Sequence, residues 1–385
     1  MRWDQRRGSF AELDTARALA PMIRAAQVEI EQRRELPQSL VTALTGQGLF
    51  RLLLPASFGG SQLCLPRFIR CVEVIAEADG STGWCVGQGG VFPNLADALP
   101  AATADEIWGR DPNAVVATGA PTGTRAQRID GGYRLSGRWR FASGCQHASW
   151  LAAMSPIVGA DGKTSGFGMF LLPKSQAVID DGWQVHGLRG TGSREYTLHD
   201  VEVPQARALT GYPLRDHHGV ATGLPAMLLF ASAFGAVALG IARRALDNLA
   251  ELVAGKTPAF SNRGLIDDDL VHAGLAQAEG RWGASRAYLL ELAEASAHEH
   301  ALHGQPTAQV RVHLRLAATS AMRQCGEVVA RAYELAGSDA IFEDHPLNRC
   351  FQDIHALTQQ IQGRPAHFRT VGRVLLGLEP DNTAF

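Results

Sequence analysis

The period of the hydrophobic pattern changes twice along this chain, and that change restricts the fold more than any other feature. From residue 9 to residue 110, apolar residues recur every three or four positions, which predicts amphipathic helices. From 113 to 206, short β-branched or aromatic runs alternate with Gly, Asp and Pro turns, which predicts the strands of a small sandwich or barrel. Long helical patterns then return at 224–253, 267–300, 307–335 and 348–362. The sequence therefore predicts a mainly α protein with a central β domain, divided into 1–112, 113–208 and 209–385.

Charge and cysteine content exclude several classes of partner. The 385 residues carry 36 Lys and Arg against 38 Asp and Glu, a formal net charge of −2, so no basic field is available to hold nucleic acid or anionic lipid. The six cysteines form no CxxC pair and no zinc spacing, which is typical of reduced thiols in the cytoplasm. The first residues, MRWDQRRGSFAELD, lack the apolar core of a signal peptide. We therefore expect a cytoplasmic protein that binds neither nucleic acid nor a metal.

One apolar stretch is almost long enough to cross a membrane. Residues 226–242 contain no charge over 17 positions and are followed by Arg243 and Arg244. The stretch is at the short edge of membrane-spanning length and is rich in Ala and Gly rather than Leu and Ile. A helix buried on all sides explains this composition better, so we expect no membrane partner.

The common catalytic and nucleotide-binding motifs do not fit this chain. Gly190 and Gly192 lack the third glycine and the following helix of a dinucleotide site, because the next residues, EYTLHDVEV, predict a strand. His298, His300 and His303 lie close together, but a solvated helix end explains them better than a metal site. The sequence contains no GxSxG, P-loop or HExxH pattern, which disfavours hydrolase and NTPase functions.

The segment GRWRFASGCQHASW, residues 137–150, combines aromatic rings, small hydroxyls and glycine. Strand alternation predicts Trp139 and Phe141 on one face and Arg138 and Arg140 on the other. Core packing would account for the two rings alone. However, Ser143 follows with a glycine after it, placing a hydroxyl and backbone N–H groups beside a flat aromatic surface. A planar heterocycle with a polar edge needs both, so the segment is also a candidate cofactor site.

Five segments together resemble one known superfamily. LPASFGG (54–60), ADGSTGW (78–84), GGYRLSGRWRFASGCQHASW (131–150), GLRGTGSREYTLHDVEVP (187–204) and HPLNRCFQDIHA (345–356) are similar, in order and spacing, to acyl-CoA dehydrogenases. More narrowly, they resemble the oxygenase branch, the group D two-component flavin-dependent monooxygenases. The resemblance implies an N-terminal helical domain, a central β-barrel, a C-terminal four-helix bundle and a homotetramer.

The resemblance also implies which residues contact flavin. The segment from Trp139 through Phe141 to Ser143 would border the isoalloxazine ring, with the Ser143 hydroxyl near flavin N5. The resemblance further assigns the stretch containing Thr118, Gly119 and Thr122 to the flavin, Arg263 to its phosphate, and Gly337 with Ser338 to the cofactor of a neighbouring subunit.

The two branches of the superfamily differ at the substrate. A dehydrogenase needs a carboxylate to remove an α-proton from a thioester, but no Asp or Glu occurs between Asp353 and Glu379. Oxygenases that act on phenols keep a histidine seven residues past that aspartate, and this chain has Gln360 there. On a continuous helix His355 would lie about 140° away from Gln360, so it is not a replacement.

These observations favour a monooxygenase that uses Ser143 and the Gln360 position without a phenolate mechanism. The resemblance implies that reduced flavin from a separate flavin reductase reacts with O₂ to give a flavin peroxide, which oxygenates a small organic substrate. We expect FAD, with FMN as the alternative, because a glycine is retained at Gly337. An acyl-CoA dehydrogenase or oxidase acting on a CoA thioester, and a flavin-free scaffold, remain the alternatives.

Overall fold

The computed structural model describes residues 8–159, 162–211 and 219–380. Its N-terminal region is helical because apolar residues recur on one face of each segment. The fourth helix shows this best: Leu65, Phe68 and Ile69 begin an apolar stripe that is buried, and a proline stands in the first turn, where its missing N–H costs nothing. The helices of this region are α1 (Ala11–Ala25), α2 (Gln27–Arg33), α3 (Gln38–Gly46), α4 (Leu65–Ala78), α5 (Gly80–Gly89) and α6 (Ala101–Ala104).

The central region forms one mainly antiparallel sheet. Within the described residues it has eight strands, in the order β6-β7-β3-β2-β4-β5-β8, and β1 pairs with β4 in parallel. The predicted strand EYTLHDVEV is confirmed as part of β7. The strands are β1 (Val116–Thr118), β2 (Ala120–Ile129), β3 (Gly132–Ala142), β4 (Trp150–Val158), β5 (Thr164–Pro173), β6 (Val178–Ile179), β7 (Arg194–Pro204) and β8 (Ala208–Thr210).

Long helices return after the sheet, as predicted. They are α7 (Ala226–Gly255), α8 (Asp269–His303), α9 (Ala308–Ala336), α10 (Pro346–Thr358) and α11 (Ala366–Leu375). One predicted boundary is wrong: the last long pattern, 348–362, is not a single helix. Helix α10 ends at Thr358, and a separate short turn, Ile361–Gly363, follows it. Gln360 therefore lies outside the helix. The angle of about 140° between Gln360 and His355, which assumes one continuous helix, does not apply.

Helix α7 lies at the centre of the helical part of the protein. It packs against α4, α8, α9 and α10, and Gly240 allows the closest approach, since a Cβ there would lie 2.5 Å from the Glu73 carbonyl oxygen of α4. Within the described residues, α7 is the helix that is long and apolar enough to cross a membrane, but 83% of its apolar stretch is buried inside the protein. This burial agrees with the interpretation of 226–242 as a core helix.

Helix α5 and the turn before β7 bring the helical and β regions together. Helix α5 contacts α4 and α7 on one side and β1 and the turn at Arg189–Thr191 on the other. All ten residues of α5 are buried, and four of them are glycines, which permits the close packing. The site described below lies at this junction.

Candidate functional site

The end of strand β3 separates two aromatic residues that were predicted to share one face. Trp139 is fully buried, its ring stacks on Tyr196 at 5.2 Å, and its Nε1 donates to the Met154 carbonyl oxygen at 2.8 Å. Phe141 is 57% exposed and has a φ of +58°. The pairing of β3 with β7 shifts between Trp139 and Ala142, and this irregularity breaks the alternation. The prediction that a flat ligand rests beside Trp139 is therefore wrong, since that ring belongs to the core of the sheet.

Phe141 borders an open cavity of about 480 Å³. The ring of Trp183 stands edge-on to Phe141, with centroids 6.3 Å apart and planes at 87°. Its Nε1 donates to the Arg189 carbonyl oxygen at 3.0 Å, which fixes the indole. Sequence reasoning missed Trp183, because an isolated tryptophan after an Asp-Asp-Gly turn carries no pattern of its own. The described lining consists of Thr122, Arg138, Arg140, Phe141, Asp180, Gly182, Trp183, Gln184, Val185, Ser193, Arg194 and Glu195.

Two arginines give the cavity a basic wall. Arg138 and Arg140 both extend from β3 and are more than half exposed at the side chain. They lie 3.6 and 3.8 Å from the carboxylate of Glu195, so two cations share one acid. Guanidinium groups beside an exposed aromatic ring suit a flat ligand that carries a phosphate.

Ser193, which lines the cavity, connects it to Ser143 through a hydrogen-bonded chain. Ser143 Oγ accepts from Trp84 Nε1 at 3.0 Å and lies 2.6 Å from Ser193 Oγ. Ser193 Oγ in turn lies 2.7 Å from Thr191 Oγ1, which donates to the Leu188 carbonyl oxygen at 2.7 Å. These side chains are buried, so their hydrogen bonds are shielded from water.

Helix α5 supplies two residues that sequence reasoning did not find. Trp84 Nε1 is shared between Ser143 Oγ and Gln88 Oε1, the latter at 3.1 Å. Gln88 Nε2 donates to the Thr118 carbonyl oxygen at 3.4 Å. The only sequence signal was the motif ADGSTGW, in which Asp79 accepts from the Thr82 amide and so begins the helix that carries Trp84.

An aromatic cluster lies behind Trp84. The Trp84 ring stacks on Phe234 with centroids 4.0 Å apart and planes at 17°. Phe230 lies one turn earlier on α7, 6.2 Å from Phe234, and its ring meets Phe92 at 5.5 Å. These rings pack together between the first turns of α7 and Trp84, whose Nε1 donates to Ser143 Oγ.

The three residues predicted before β3 have different roles in the structure. Thr122 lines the cavity. Thr118 Oγ1 donates to the Ala152 carbonyl oxygen at 2.7 Å and so joins β1 to β4. Gly119 is required for packing, because a Cβ there would lie 2.8 Å from Trp139 Cβ. Thr118 and Gly119 therefore contribute to the packing of β1, β3 and β4, and the described lining of the cavity does not include them.

Gln360 holds a turn of the backbone. Its Oε1 accepts from the Gln362 amide at 2.8 Å, and its Nε2 lies 3.4 Å from Met322 Sδ. Beside it Arg315 is fully buried and donates to Gln362 Oε1 at 2.6 Å; burial lowers its pKa to about 9. An amide with both ends engaged orients the turn 361–363 and does not remove a proton from a substrate.

The predicted phosphate-binding and neighbour-binding residues form a second group. Arg263 donates to the Asp267 carbonyl oxygen. Lys256 joins the Arg263 loop to the turn at Gly337 and Ser338, because its carbonyl accepts from the Leu265 amide at 2.8 Å and its Nζ donates to the Ala336 carbonyl at 2.8 Å. The described lining of the cavity includes none of the three predicted residues. Within one chain they are therefore separate from Phe141 and Ser143.

The part of the chain that the structure describes contains no group of three or more His, Cys, Asp or Glu residues arranged to hold a metal ion. Asp353 of α10 is buried, and its Oδ1 accepts from the Leu188 amide at 2.6 Å. Burial, together with Glu31 and Asp79, raises the pKa of Asp353 well above its ordinary value.

Comparison with known proteins gives consistent matches over most of the chain. Residues 232–364 match the family model described as acyl-CoA dehydrogenase, C-terminal domain. The chain is 32% identical to indole-3-acetate monooxygenase of Pseudomonas putida, over 93% of this chain and 91% of that protein. It is 31% identical to the flavin-dependent monooxygenase oxygenase subunit HsaA of Mycobacterium tuberculosis, over 98% of both chains. The crystal structure of 3-HSA hydroxylase from Rhodococcus superimposes with a TM-score of 0.90 and 28% identity, covering 98% of this chain and 100% of that one.

Proposed function

This chain belongs to the oxygenase components of two-component flavin-dependent monooxygenases, in the acyl-CoA dehydrogenase superfamily, and from that membership we propose that it oxygenates a small aromatic molecule at the cavity beside Phe141. The protein is an oxidoreductase that depends on a separate flavin reductase. The observation that carries the proposal is the position of Phe141, whose exposed ring borders a cavity lined by Ser193, one member of the buried chain of hydroxyls.

The residues around the cavity fit a reduced flavin. Phe141 and Trp183 offer aromatic surface to a tricyclic ring, and Arg138 and Arg140 offer charge to a phosphate. Phe141 adopts a backbone conformation that bulky residues rarely occupy, and such strain is concentrated where function requires it. When bound, reduced flavin supplies the two electrons with which one oxygen atom of O₂ enters the substrate and the other leaves as water.

The chain itself contributes orientation and exclusion of water. Trp84 and Ser193 orient the Ser143 hydroxyl, which would face the edge of a bound flavin, and the partly buried ring of Phe230 would offer an aromatic substrate an apolar surface. A dry site limits the side reaction that releases hydrogen peroxide. Because Gln360 has an amide in place of a base, the favoured substrate needs no deprotonation; indole-3-acetate, named for the Pseudomonas relative, has no phenolic hydroxyl.

Labelled oxygen tests the proposal. Purified protein receives chemically reduced FAD and ¹⁸O₂ in the presence of a panel of indoles, phenols and other aromatic acids. We expect one ¹⁸O atom in an organic product and no product when oxidised FAD is supplied. Reduction of bound oxidised flavin by an acyl-CoA, without oxygen transfer, would instead identify the dehydrogenase alternative.

The larger organisation is also proposed. We propose FAD as the cofactor and a cytoplasmic homotetramer, with domains at 1–112, 113–208 and 209–385 that form a helical domain, a barrel and a four-helix bundle. A tetramer accounts for the separation of Arg263, Gly337 and Ser338 from their own cavity, since a neighbouring copy can bring them to its flavin. Light scattering of the purified protein, with and without Arg263→Ala, tests the assembly, and the variant should retain the tetramer while losing FAD affinity.

A further inference from the structure

The hydroxyl chain at Ser143 has a fixed direction, which follows from its last member. Leu188 contributes a carbonyl oxygen, which only accepts, so Thr191 Oγ1 is the donor in their 2.7 Å hydrogen bond. A threonine hydroxyl has one proton, so the 2.7 Å contact between Thr191 and Ser193 requires Ser193 to donate. By the same count, the 2.6 Å contact between Ser193 and Ser143 requires Ser143 to donate.

The protons of Ser143 and Ser193 are therefore both used within the chain. Ser143 Oγ also accepts from Trp84 Nε1, which agrees with its role as donor to Ser193. Toward a ligand, each of the two hydroxyls presents only a lone pair. Ser193 lines the cavity and Ser143 lies behind it, so the inner edge of the cavity is an acceptor surface.

The terminal carbonyl is held firmly enough to impose this direction. The Leu188 amide donates to Asp353 Oδ1 at 2.6 Å, and the Gly190 amide donates to Ser81 Oγ at 3.1 Å. Leu188 has a φ of +53°, which is a left-handed conformation, and the hydrogen bonds to Asp353 and Ser81 stabilise the backbone there. The Gly144 amide donates to the Thr191 carbonyl at 2.8 Å, which joins the turn directly to the residue after Ser143.

Reduced and oxidised flavin differ at the atom that would meet this surface. Reduced flavin carries a hydrogen on N5 and donates it, whereas the N5 of oxidised flavin has only a lone pair. We propose that Thr191 and Ser193 are specificity-determining positioning residues that orient the Ser143 hydroxyl as an acceptor, so that the site selects flavin in its reduced form. This inference rests on the proposed function, because it requires the flavin edge to lie at Ser143.

The test is a pair of binding measurements that need no turnover. Oxidised FAD, and FAD reduced with dithionite under argon, are titrated into wild type, Thr191→Val and Ser193→Ala. Wild type should bind the reduced form more tightly. In Thr191→Val the chain loses its carbonyl end, so Ser193 can donate to Ser143, and the Ser143 proton becomes available to N5 of oxidised flavin. The ratio of the two dissociation constants should then shift up to about tenfold toward the oxidised form, the effect of one hydrogen bond gained by oxidised flavin.

A matched control separates this effect from loss of packing. Thr45 in α3 is also a buried threonine whose hydroxyl donates to a carbonyl, that of Val41 at 3.0 Å, and it does not contact the chain. Thr45→Val should keep the wild-type ratio. The N5 resonance of ¹⁵N-labelled oxidised FAD gives a second measurement, since it should move on binding to Thr191→Val as a hydrogen bond to N5 forms.

An unchanged ratio in both Thr191→Val and Ser193→Ala, with FAD still bound, would overturn the inference and leave the proposed function intact. Failure of wild type to bind FAD in either form would overturn both. A ratio that shifts equally in Thr45→Val would also overturn the inference, because packing alone would then explain it.

Discussion

Replacing Phe141 with alanine tests whether its exposed ring supports the flavin. The residue is 57% exposed, and an aromatic side chain has an area of about 200 Å². A flat ligand on one face hides about half of the exposed part, roughly 60 Å², which is worth about 1.5 kcal/mol at ~25 cal/mol per Å². The dissociation constant for reduced FAD should therefore rise about tenfold. Stability should change little, because the side chain contributes little to the core.

The assay is an anaerobic titration of reduced FAD, followed by fluorescence, with thermal unfolding measured on the same samples. Phe141→Leu keeps an apolar side chain without a flat ring and should lie between wild type and Phe141→Ala. Phe368→Ala, which removes a partly exposed ring from α11, is the control for the substitution itself. An affinity in Phe141→Ala equal to that of wild type would refute the reasoning and place the flavin ring elsewhere.

Three further predictions concern the same strand and the turn after it. Trp139→Ala should lower the free energy of unfolding by about 3–5 kcal/mol in denaturant titrations, because it empties a core position; a small loss with a large loss of FAD affinity would restore Trp139 to the flavin site. Ser143→Ala should fold normally and release more hydrogen peroxide per O₂ consumed, measured with an oxygen electrode and a peroxidase assay, and equal coupling would remove Ser143 from the mechanism. Burial and the charge of Lys174 lower the pKa of His147 to about 4 in the folded protein. Between pH 6.5 and pH 4 the imidazole is therefore protonated in the unfolded chain but neutral in the folded protein, so the free energy of unfolding decreases as the pH falls. Unfolding at pH 7.5 and pH 5 should differ by about 2 kcal/mol through this group, and His147→Gln should remove that part of the difference.

The hydrophobic period was sufficient to predict the order of helices and strands, because burial of one face controls both periodicities. It was insufficient at β3, where a local shift in pairing turns Phe141 outward while Trp139 stays in the core. The prediction from strand alternation assumes regular pairing of the strands, and the residues GRWRFASG contain no pattern that indicates the shift in pairing between Trp139 and Ala142. The end of α10 was misplaced for a similar reason, since residues 359–362 are compatible with a helix and the turn is fixed by the Gln360 side chain.

Most of the site could not be predicted because its members come from distant parts of the chain. Trp84 reaches Ser143 across 59 positions and Ser193 reaches it across 50. Neither contact is visible as a spacing within one motif, although both lie in segments that carry the family resemblance. The resemblance located Ser143, and the structure was needed to show which neighbours determine the direction of its hydrogen bonds.

That direction also bears on the dehydrogenase alternative. A dehydrogenase must hold oxidised flavin until a substrate delivers hydride to N5, and a hydroxyl that donates to N5 assists by favouring electron arrival there. In this chain the Leu188 carbonyl draws the proton of Thr191 away from the cavity, so Ser143 has none to offer. An acceptor-only edge suits a protein that receives its flavin already reduced. Two independent observations therefore favour oxygenation. On the substrate side, no acidic residue occurs between Asp353 and Glu379. On the flavin side, the hydroxyl chain has the direction of an acceptor.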